Sequence, residues 1–105
     1  MVQEQNMFIV LWQYQVGQEK QNEFMRIYAA DGAWTKLFRK ADGYLGTELM
    51  RDETQPARFL TIDRWESKES FDAFQAHFDK EYQELDAQCE GLTEQETLLG
   101  RWRSL

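Results

Sequence analysis

The stretch RFLTIDRWESKESF, residues 58–71, changes from a strand pattern to a helix pattern and decides the fold. Its first half, Arg58–Trp65, is rich in aromatic and β-branched residues, which predicts a strand. Ser67 is a residue type that favours the N-cap of a helix, and the charge of Glu69 suits the positive end of the helix dipole. We therefore expect a strand that ends at Trp65 and a helix that starts directly after Ser67.

The predicted helix continues through a row of large apolar residues. These residues are Phe71, Phe74, Phe78, Tyr82 and Leu85. Their spacing predicts a helix with one apolar side that runs to about Gln88. The rest of Lys68–Glu90 is acidic, with seven Asp and Glu residues against two Lys. We interpret that acidic side as a face in contact with solvent.

The segments on either side of this stretch complete an alternating pattern of strands and helices. They are a strand at Phe8–Val16, a helix at Gln18–Ala30 that breaks at Asp31-Gly32 and resumes at Ala33–Lys40, a strand at Tyr44–Arg51 and a last strand at Thr97–Arg103. The polar turn around Pro56 is short enough for a hairpin. The order predicts an α+β, ferredoxin-like β-α-β-β-α-β sandwich formed by one domain over residues 1–105.

The two faces of the predicted sheet differ in their expected neighbours. Strand alternation places Trp65 on the face covered by the helices and Leu60 and Ile62 on the opposite face. Together with Ile9 and Leu11, these residues give the uncovered face an apolar surface that one subunit cannot bury alone. Two such sheets packed face to face would bury both surfaces, so we expect a homodimer.

Charge and composition exclude several classes of protein. Twelve Lys and Arg residues against nineteen Asp and Glu residues give a net charge of −7, which disfavours nucleic-acid binding. No apolar run approaches the ~20 residues of a membrane span, and the polar start Met1–Asn6 is unlike a secretory signal. Cys89 is the only cysteine and cannot form an internal disulfide or a zinc site alone. A cytoplasmic location is the resulting prediction.

Five segments resemble the antibiotic biosynthesis monooxygenase (ABM) family. They are FIVLWQYQV at residues 8–16 followed by Glu23-Phe24, GYLGT at residues 43–47, IDRWESKESF at residues 62–71, and the tail segments GLTE and LGRW at residues 91–94 and 99–102. The resemblance implies a dimeric α+β barrel with a pocket between the sheet and the helices of each subunit. It also implies oxidation of aromatic compounds with oxygen and without metal or flavin, while similar branches degrade haem or handle small quinones or aldehydes.

Three residues are candidates for a catalytic role. Trp65 matches the tryptophan that lines the pocket in oxygen-using members of the family, although a core tryptophan at the corner between strand and helix is the alternative. His77 is the only histidine available for acid–base chemistry, but helical geometry places it at the edge of the buried stripe. Asp31 would be a buried base if the first helix ran through it, whereas a break in the helix would make it an N-cap.

The haem-degrading branch fits the sequence poorly. That branch uses a histidine in the second helix, and His77 lies near the matching position. It also uses an asparagine in the first strand, where this chain offers Val10 or Trp12 and no asparagine at all. We therefore expect no haem, and the absence of phosphate-binding and metal-ligand motifs leads us to expect no flavin or metal.

A set of aromatic residues is the candidate binding surface for a substrate. It consists of Trp12, Tyr14, Tyr28, Trp34 and Phe74, and Tyr82 belongs to the same aromatic-rich set. Aromatic walls with a few polar tips suit a flat small molecule such as a phenol or a quinol. Periodicity alone also explains these residues as core. Two function classes therefore remain open: a cofactor-independent monooxygenase, and a non-catalytic small-molecule-binding or structural dimer on the same scaffold.

Overall fold

A computed structural model describes residues 7–105 of the chain. Within these residues, four antiparallel strands form one sheet in the order β2-β3-β1-β4. The strands are β1 (Phe8–Gln15), β2 (Tyr44–Arg51), β3 (Arg58–Trp65) and β4 (Gln95–Arg103). The prediction made from the polar start, residues 1–6, lies outside the described residues.

The helices lie between the strands in the predicted order. They are α1 (Gln21–Tyr28), preceded by a 3₁₀ turn at Gln18–Lys20, then α2 (Ala33–Phe38), α3 (Lys68–His77) and α4 (Asp79–Gln88). The pair α1 and α2 corresponds to the first predicted helix, and the pair α3 and α4 corresponds to the second. The order of elements therefore confirms the α+β, ferredoxin-like β-α-β-β-α-β fold.

Each predicted helix is interrupted in a different way. The first breaks at Gly32, where an added Cβ would collide with the backbone carbonyl of Ile27, so only glycine permits this close approach. The second was predicted to be continuous to about Gln88, and this is wrong at Phe78. That residue has φ −115° and ψ 26°, outside the helical region, and it separates α3 from α4.

The stretch that decides the fold forms as predicted. Ser67 caps α3, since its Oγ accepts a hydrogen bond from the backbone N–H of Ser70 at 3.1 Å. Gly43 packs directly against Ser70 with φ +91°, a conformation and a closeness that a side chain would not allow. The carbonyl of Gly43 accepts a hydrogen bond from the N–H of Glu66 at 2.7 Å. These contacts fix the start of β2 against the end of β3.

An aromatic core fills the space between the helices and the sheet. Trp65 has no exposed surface, and its ring lies 5.2 Å from each of the rings of Tyr44 and Phe74 and 5.8 Å from that of Phe38. Its indole Nε1 has no hydrogen-bond partner within the described chain. The Trp65 side chain is therefore held by packing contacts, without a hydrogen bond to the described residues.

The opposite face of the sheet carries the predicted apolar surface. Ile9, Leu11, Leu60 and Ile62 alternate with the buried residues of β1 and β3 and remain partly exposed. Trp102 pairs with Ile9 on the edge strand β4 and is 56% exposed. We name this surface, made of these five residues, the outer face.

In the part of the chain that the structure describes, no helix has the length and apolar character needed to cross a membrane.

Candidate functional site

A cavity of about 220 Å³ lies between the helices and the sheet. Strand residues from all four strands form its floor, and residues of α1, α2 and α4 form its walls. The lining residues are Trp12, Tyr14, Tyr28, Trp34, Phe38, Thr47, Thr61, Asp63, Tyr82, Asp86 and Glu96. The resemblance implied a pocket in this place, between the sheet and the helices.

Strand register places the polar groups of the cavity floor. Thr61 and Asp63 lie two positions apart and therefore share the helix-facing side of the central strand β3. Thr47 of β2 pairs directly with Asp63. Trp12 of β1 pairs with Thr61, and the Tyr14 hydroxyl is hydrogen-bonded to the Thr61 hydroxyl at 3.0 Å. On β2 and β3 the floor therefore presents two threonine hydroxyls and the Asp63 carboxyl group beside aromatic rings.

Aromatic side chains in mutual contact form the walls. The ring of Tyr28 lies 5.1 Å from that of Tyr14 and 6.2 Å from that of Trp34, and Trp34 lies 5.0 Å from Tyr82 in an edge contact. Such edge and tilted contacts stabilise aromatic pairs beyond their buried area. They hold the walls in place, so the cavity is formed before any ligand arrives.

Asp63 is the buried titratable group of the cavity. Asp63 is only 8% exposed. Its Oδ1 accepts a hydrogen bond from the Thr47 hydroxyl at 2.7 Å. Because Thr47 donates to Asp63, the Tyr44 hydroxyl donates in turn to the Thr47 oxygen. Within residues 7–105 no hydrogen bond reaches the second carboxylate oxygen, Oδ2. That oxygen is the acceptor that a ligand would meet.

Burial sets the protonation behaviour of the cavity. It raises the pKa of Asp63 from 3.8 to about 6, and the hydrogen bond from Thr47 opposes this rise only in part. Burial also raises the pKa of Tyr14, Tyr28 and Tyr82 above the ordinary value for tyrosine. Near neutral pH the tyrosines are neutral hydrogen-bonding groups, while Asp63 is the group that gains and loses a proton.

Four of the predicted binding residues are brought together at the cavity. They are Trp12, Tyr14, Tyr28 and Trp34. Phe74 is 1% exposed and packs on Trp65 and Phe38, so it belongs to the core rather than to the cavity lining. Trp65 is also absent from the lining, because its ring lies behind Phe38, Tyr44 and Phe74.

The other two predicted catalytic residues lie at the surface. Asp31 is exposed, and the N-cap of α2 is Gly32 with no side-chain cap, so both interpretations of Asp31 were wrong. His77 is exposed at the end of α3 and lines a separate surface groove with Asp42 and Glu69. Neither side chain reaches the cavity.

Asp63 was not among the predicted site residues, although the sequence carries a signal for it. Alternation places Asp63 between Thr61 and Trp65 on the face of β3 that the helices cover. An acidic residue is unusual on a strand face that otherwise carries core residues. Carboxyl groups with perturbed pKa values cluster at functional sites, so this position indicates a functional role. Asp86 and Glu96 were also missed, because segments distant in the sequence bring them to the same cavity.

No group of three or more His, Cys, Asp and Glu residues suited to holding a metal ion is found among residues 7–105. Cys89 is buried, and its burial raises the pKa of the thiol, which disfavours a reactive thiolate.

Comparisons with known proteins agree with this architecture. A "putative antibiotic biosynthesis monooxygenase" from Nitrosomonas europaea has a similar structure, with a TM-score of 0.73 at 10% identity, covering 100% of this chain and 96% of that one. A protein of the same description from Bordetella bronchiseptica gives a TM-score of 0.72 at 18% identity, covering 96% and 99%. A conserved protein from Methanosarcina mazei gives 0.67 at 20% identity, covering 98% and 97%. At these identities the likeness concerns the fold.

The sequence itself carries the family assignment. The comparison with curated proteins finds no match. The family model for antibiotic biosynthesis monooxygenase, in contrast, matches residues 7–86, which is more than half of the chain. This match shows that the protein belongs to the antibiotic biosynthesis monooxygenase family.

Proposed function

We propose that the protein is a monooxygenase that oxidises a one-ring phenol with molecular oxygen, with Asp63 as the base. The observation that carries the proposal is the Asp63 carboxyl group, which is buried in an aromatic cavity and has an oxygen free to accept a proton. Family membership supports a monooxygenase or a small-molecule-binding role. The substrate class and the base are our inference.

The size and walls of the cavity favour a small flat ligand. Its volume of about 220 Å³ is below the ~300–1,000 Å³ of sites for drug-sized molecules. A single aromatic ring suits this space, and the rings of Trp12, Tyr28 and Trp34 offer it faces and edges to contact. A phenol placed with its hydroxyl group toward Asp63 would donate a hydrogen bond to Oδ2.

The proposed reaction balances without a further reductant. Asp63 takes the phenolic proton as the ring loses electrons to oxygen, because removal of electrons makes the hydroxyl group more acidic. At a ring carbon next to the one that carries the hydroxyl group, a C–H bond breaks and a C=O bond forms, giving an ortho-quinone. One oxygen atom enters the ring, and the second leaves as water with the two hydrogens that the phenol gives up. The phenol supplies all four electrons that reduce the oxygen molecule.

Asp63 is suited to this role by its environment. A general base works best when its pKa lies near the working pH, and burial brings Asp63 to about 6. Thr47 holds Oδ1, and the Tyr44 hydroxyl holds Thr47 in turn. This chain of hydrogen bonds fixes the carboxyl group so that Oδ2 is the oxygen presented to a substrate.

Oxygen uptake tests the proposal. With one-ring phenols that carry a hydrogen beside the hydroxyl group, we expect the purified protein to consume one oxygen molecule for each phenol converted to a quinone, measured with an oxygen electrode and by quinone absorbance. His77→Ala serves as a control, since His77 lies outside the cavity and its loss should leave the rate unchanged. Saturable binding of phenols with no oxygen uptake would instead support the non-catalytic binding role.

We further propose that two copies of the chain associate through the outer face, and we expect a homodimer. Proteins of this family are usually dimers. The outer face is apolar, and one subunit leaves it uncovered. Light scattering should therefore give twice the chain mass of 12.6 kDa.

A charge placed on the outer face should weaken this association. Ile62→Lys is expected to shift the mass toward 12.6 kDa, because a buried lysine would lose its hydration. Ala76→Lys is the matched control, since Ala76 is exposed on α3 on the other side of the sheet. A wild-type protein that stays monomeric at high micromolar concentration would contradict the proposed assembly.

A further inference from the structure

The charges that line the cavity all have one sign. Asp63, Asp86 and Glu96 contribute three carboxyl groups, and the lining includes no Lys, Arg or His. Asp63 is buried, whereas Asp86 and Glu96 are exposed, so the first lies at the inner end and the other two lie at the end nearest solvent. The Thr93 hydroxyl donates to Glu96 at 3.0 Å and holds that carboxylate in place.

Two arginines, Arg101 and Arg39, act electrostatically on Tyr82 and Tyr44 respectively, but neither of them lines the cavity. Arg101 lies over the ring of Phe71, with its guanidinium carbon 5.6 Å from the ring centre, and is not part of the lining. Arg39 donates to the backbone carbonyl of Ala30 at 2.8 Å and is likewise outside the lining. A ligand in the cavity therefore meets carboxylates at the rim without a paired cation between them.

The aromatic walls favour the same sign of ligand charge. The faces of tryptophan and tyrosine rings attract cations, and the attraction grows where water is partly excluded. Trp12, Tyr28, Trp34 and Tyr82 all line this cavity. An aromatic box with carboxylates at its mouth is an arrangement that binds an organic ammonium group.

We propose that the cavity selects a phenol that carries a protonated amine, with the ammonium group beside Asp86 and Glu96. The proposal rests on the proposed function, in which the phenolic hydroxyl group lies at Asp63, and it adds the charge of the substrate. A neutral phenol would leave the rim carboxylates without a cationic partner, and a phenol with a carboxylate would be repelled by them. The net charge of −7 also raises the local concentration of cationic ligands near the protein.

Three ligands with the same phenol ring provide the test. They are tyramine, which is a cation at pH 7.5, 4-ethylphenol, which is neutral, and 4-hydroxyphenylacetate, which is an anion. Calorimetric titration should give tyramine an affinity about tenfold or more above that of 4-ethylphenol, with the anion weakest. Added salt should weaken tyramine binding and leave 4-ethylphenol binding nearly unchanged, because screening acts on charges.

Variants at the rim locate the source of the preference. The double variant Asp86→Asn with Glu96→Gln should bring the affinities for tyramine and 4-ethylphenol close together, while that for 4-ethylphenol stays near its original value. The control is Glu53→Gln with Glu84→Gln, which changes the net charge equally at exposed positions outside the cavity. The control should keep most of the preference for tyramine.

The outcomes separate this inference from the proposed function. If 4-ethylphenol binds as tightly as tyramine, or if the preference survives in the rim variant, the inference is wrong, while the cavity remains a phenol site. If none of the three ligands binds, both the inference and the proposed substrate class are wrong. Oxygen uptake with tyramine as substrate, measured separately, tests the oxygenase chemistry.

Discussion

Asp63→Asn is expected to abolish oxygen uptake and, at the same time, to make the protein more stable. An amide cannot take the phenolic proton, but its oxygen still accepts the hydrogen bond from Thr47. The wild-type carboxyl group carries a cost, because burial raises its pKa from 3.8 to about 6. A shift of that size corresponds to about 3 kcal/mol of folding free energy once the group is ionised.

The sign of this cost gives the prediction a pH dependence. The folded protein binds the Asp63 proton more tightly than the unfolded chain does, so the stability contributed by this group is present below about pH 4 and is lost as the pH rises through about 6. The gain from Asp63→Asn should therefore be small at pH 4 and full at pH 8. A gain of 1 kcal/mol raises the melting temperature of a domain this size by roughly 4–8 °C.

Thermal unfolding at fixed protein concentration measures the effect. Asp31→Asn is the matched control, since Asp31 is exposed and outside the cavity, and it should change neither stability nor turnover. A less stable asparagine variant, or an equal gain at both pH values, would contradict the buried ionisation of Asp63. Unchanged oxygen uptake in this variant would remove Asp63 from the reaction.

Trp65→Ala is expected to have the largest effect on stability. Trp65 has no exposed surface and contacts the rings of Phe38, Tyr44, Phe71 and Phe74. Removal of a buried tryptophan side chain typically costs about 3–5 kcal/mol. Since small domains are stable by only about 5–15 kcal/mol, much of the variant should be unfolded at moderate temperature.

Two companion variants separate packing from binding. Trp65→Phe keeps aromatic packing and gives up an Nε1–H that has no partner, so its loss of stability should be smaller and its ligand affinity unchanged. Trp12→Phe should show the reverse, with weaker ligand binding and a modest change in stability, because Trp12 lines the cavity and is partly exposed. Urea unfolding and calorimetric titration measure the two effects. If the folded Trp65→Phe variant bound the ligand more weakly, Trp65 would have to be counted among the residues of the binding site.

Local patterns in the sequence were enough to predict the fold. The alternation and aromatic content of residues 58–65, the cap at Ser67 and the apolar spacing beyond it each depend on neighbours within a few positions. The break at Phe78 could not be predicted in this way, because Phe78 continues the apolar spacing of α3. Its departure from helical geometry is seen only in its dihedral angles, φ −115° and ψ 26°.

The candidate site was predicted in part for a different reason. Aromatic type and face were enough to place Trp12, Tyr14 and Tyr28 at the cavity. The resemblance drew attention to Trp65, which lies two residues beyond Asp63 on the same face of β3 and serves the core. Whether an aromatic ring lines the cavity or belongs to the core depends on which other rings cover it. Those contacts are made between segments that lie far apart in the sequence.

The four tryptophans occupy three different surroundings, and this has an optical consequence. Trp65 is sealed in the core, Trp12 and Trp34 border the cavity, and Trp102 lies on the outer face. Indole emission moves to longer wavelength in water and is quenched by contact with electron-accepting rings such as quinones. Emission from Trp102 would therefore report the proposed association of subunits, and emission from Trp12 and Trp34 would report the proposed binding of a ligand in the cavity. Trp65 emits at short wavelength as long as the chain is folded, so assembly, binding and folding can be followed without an added dye.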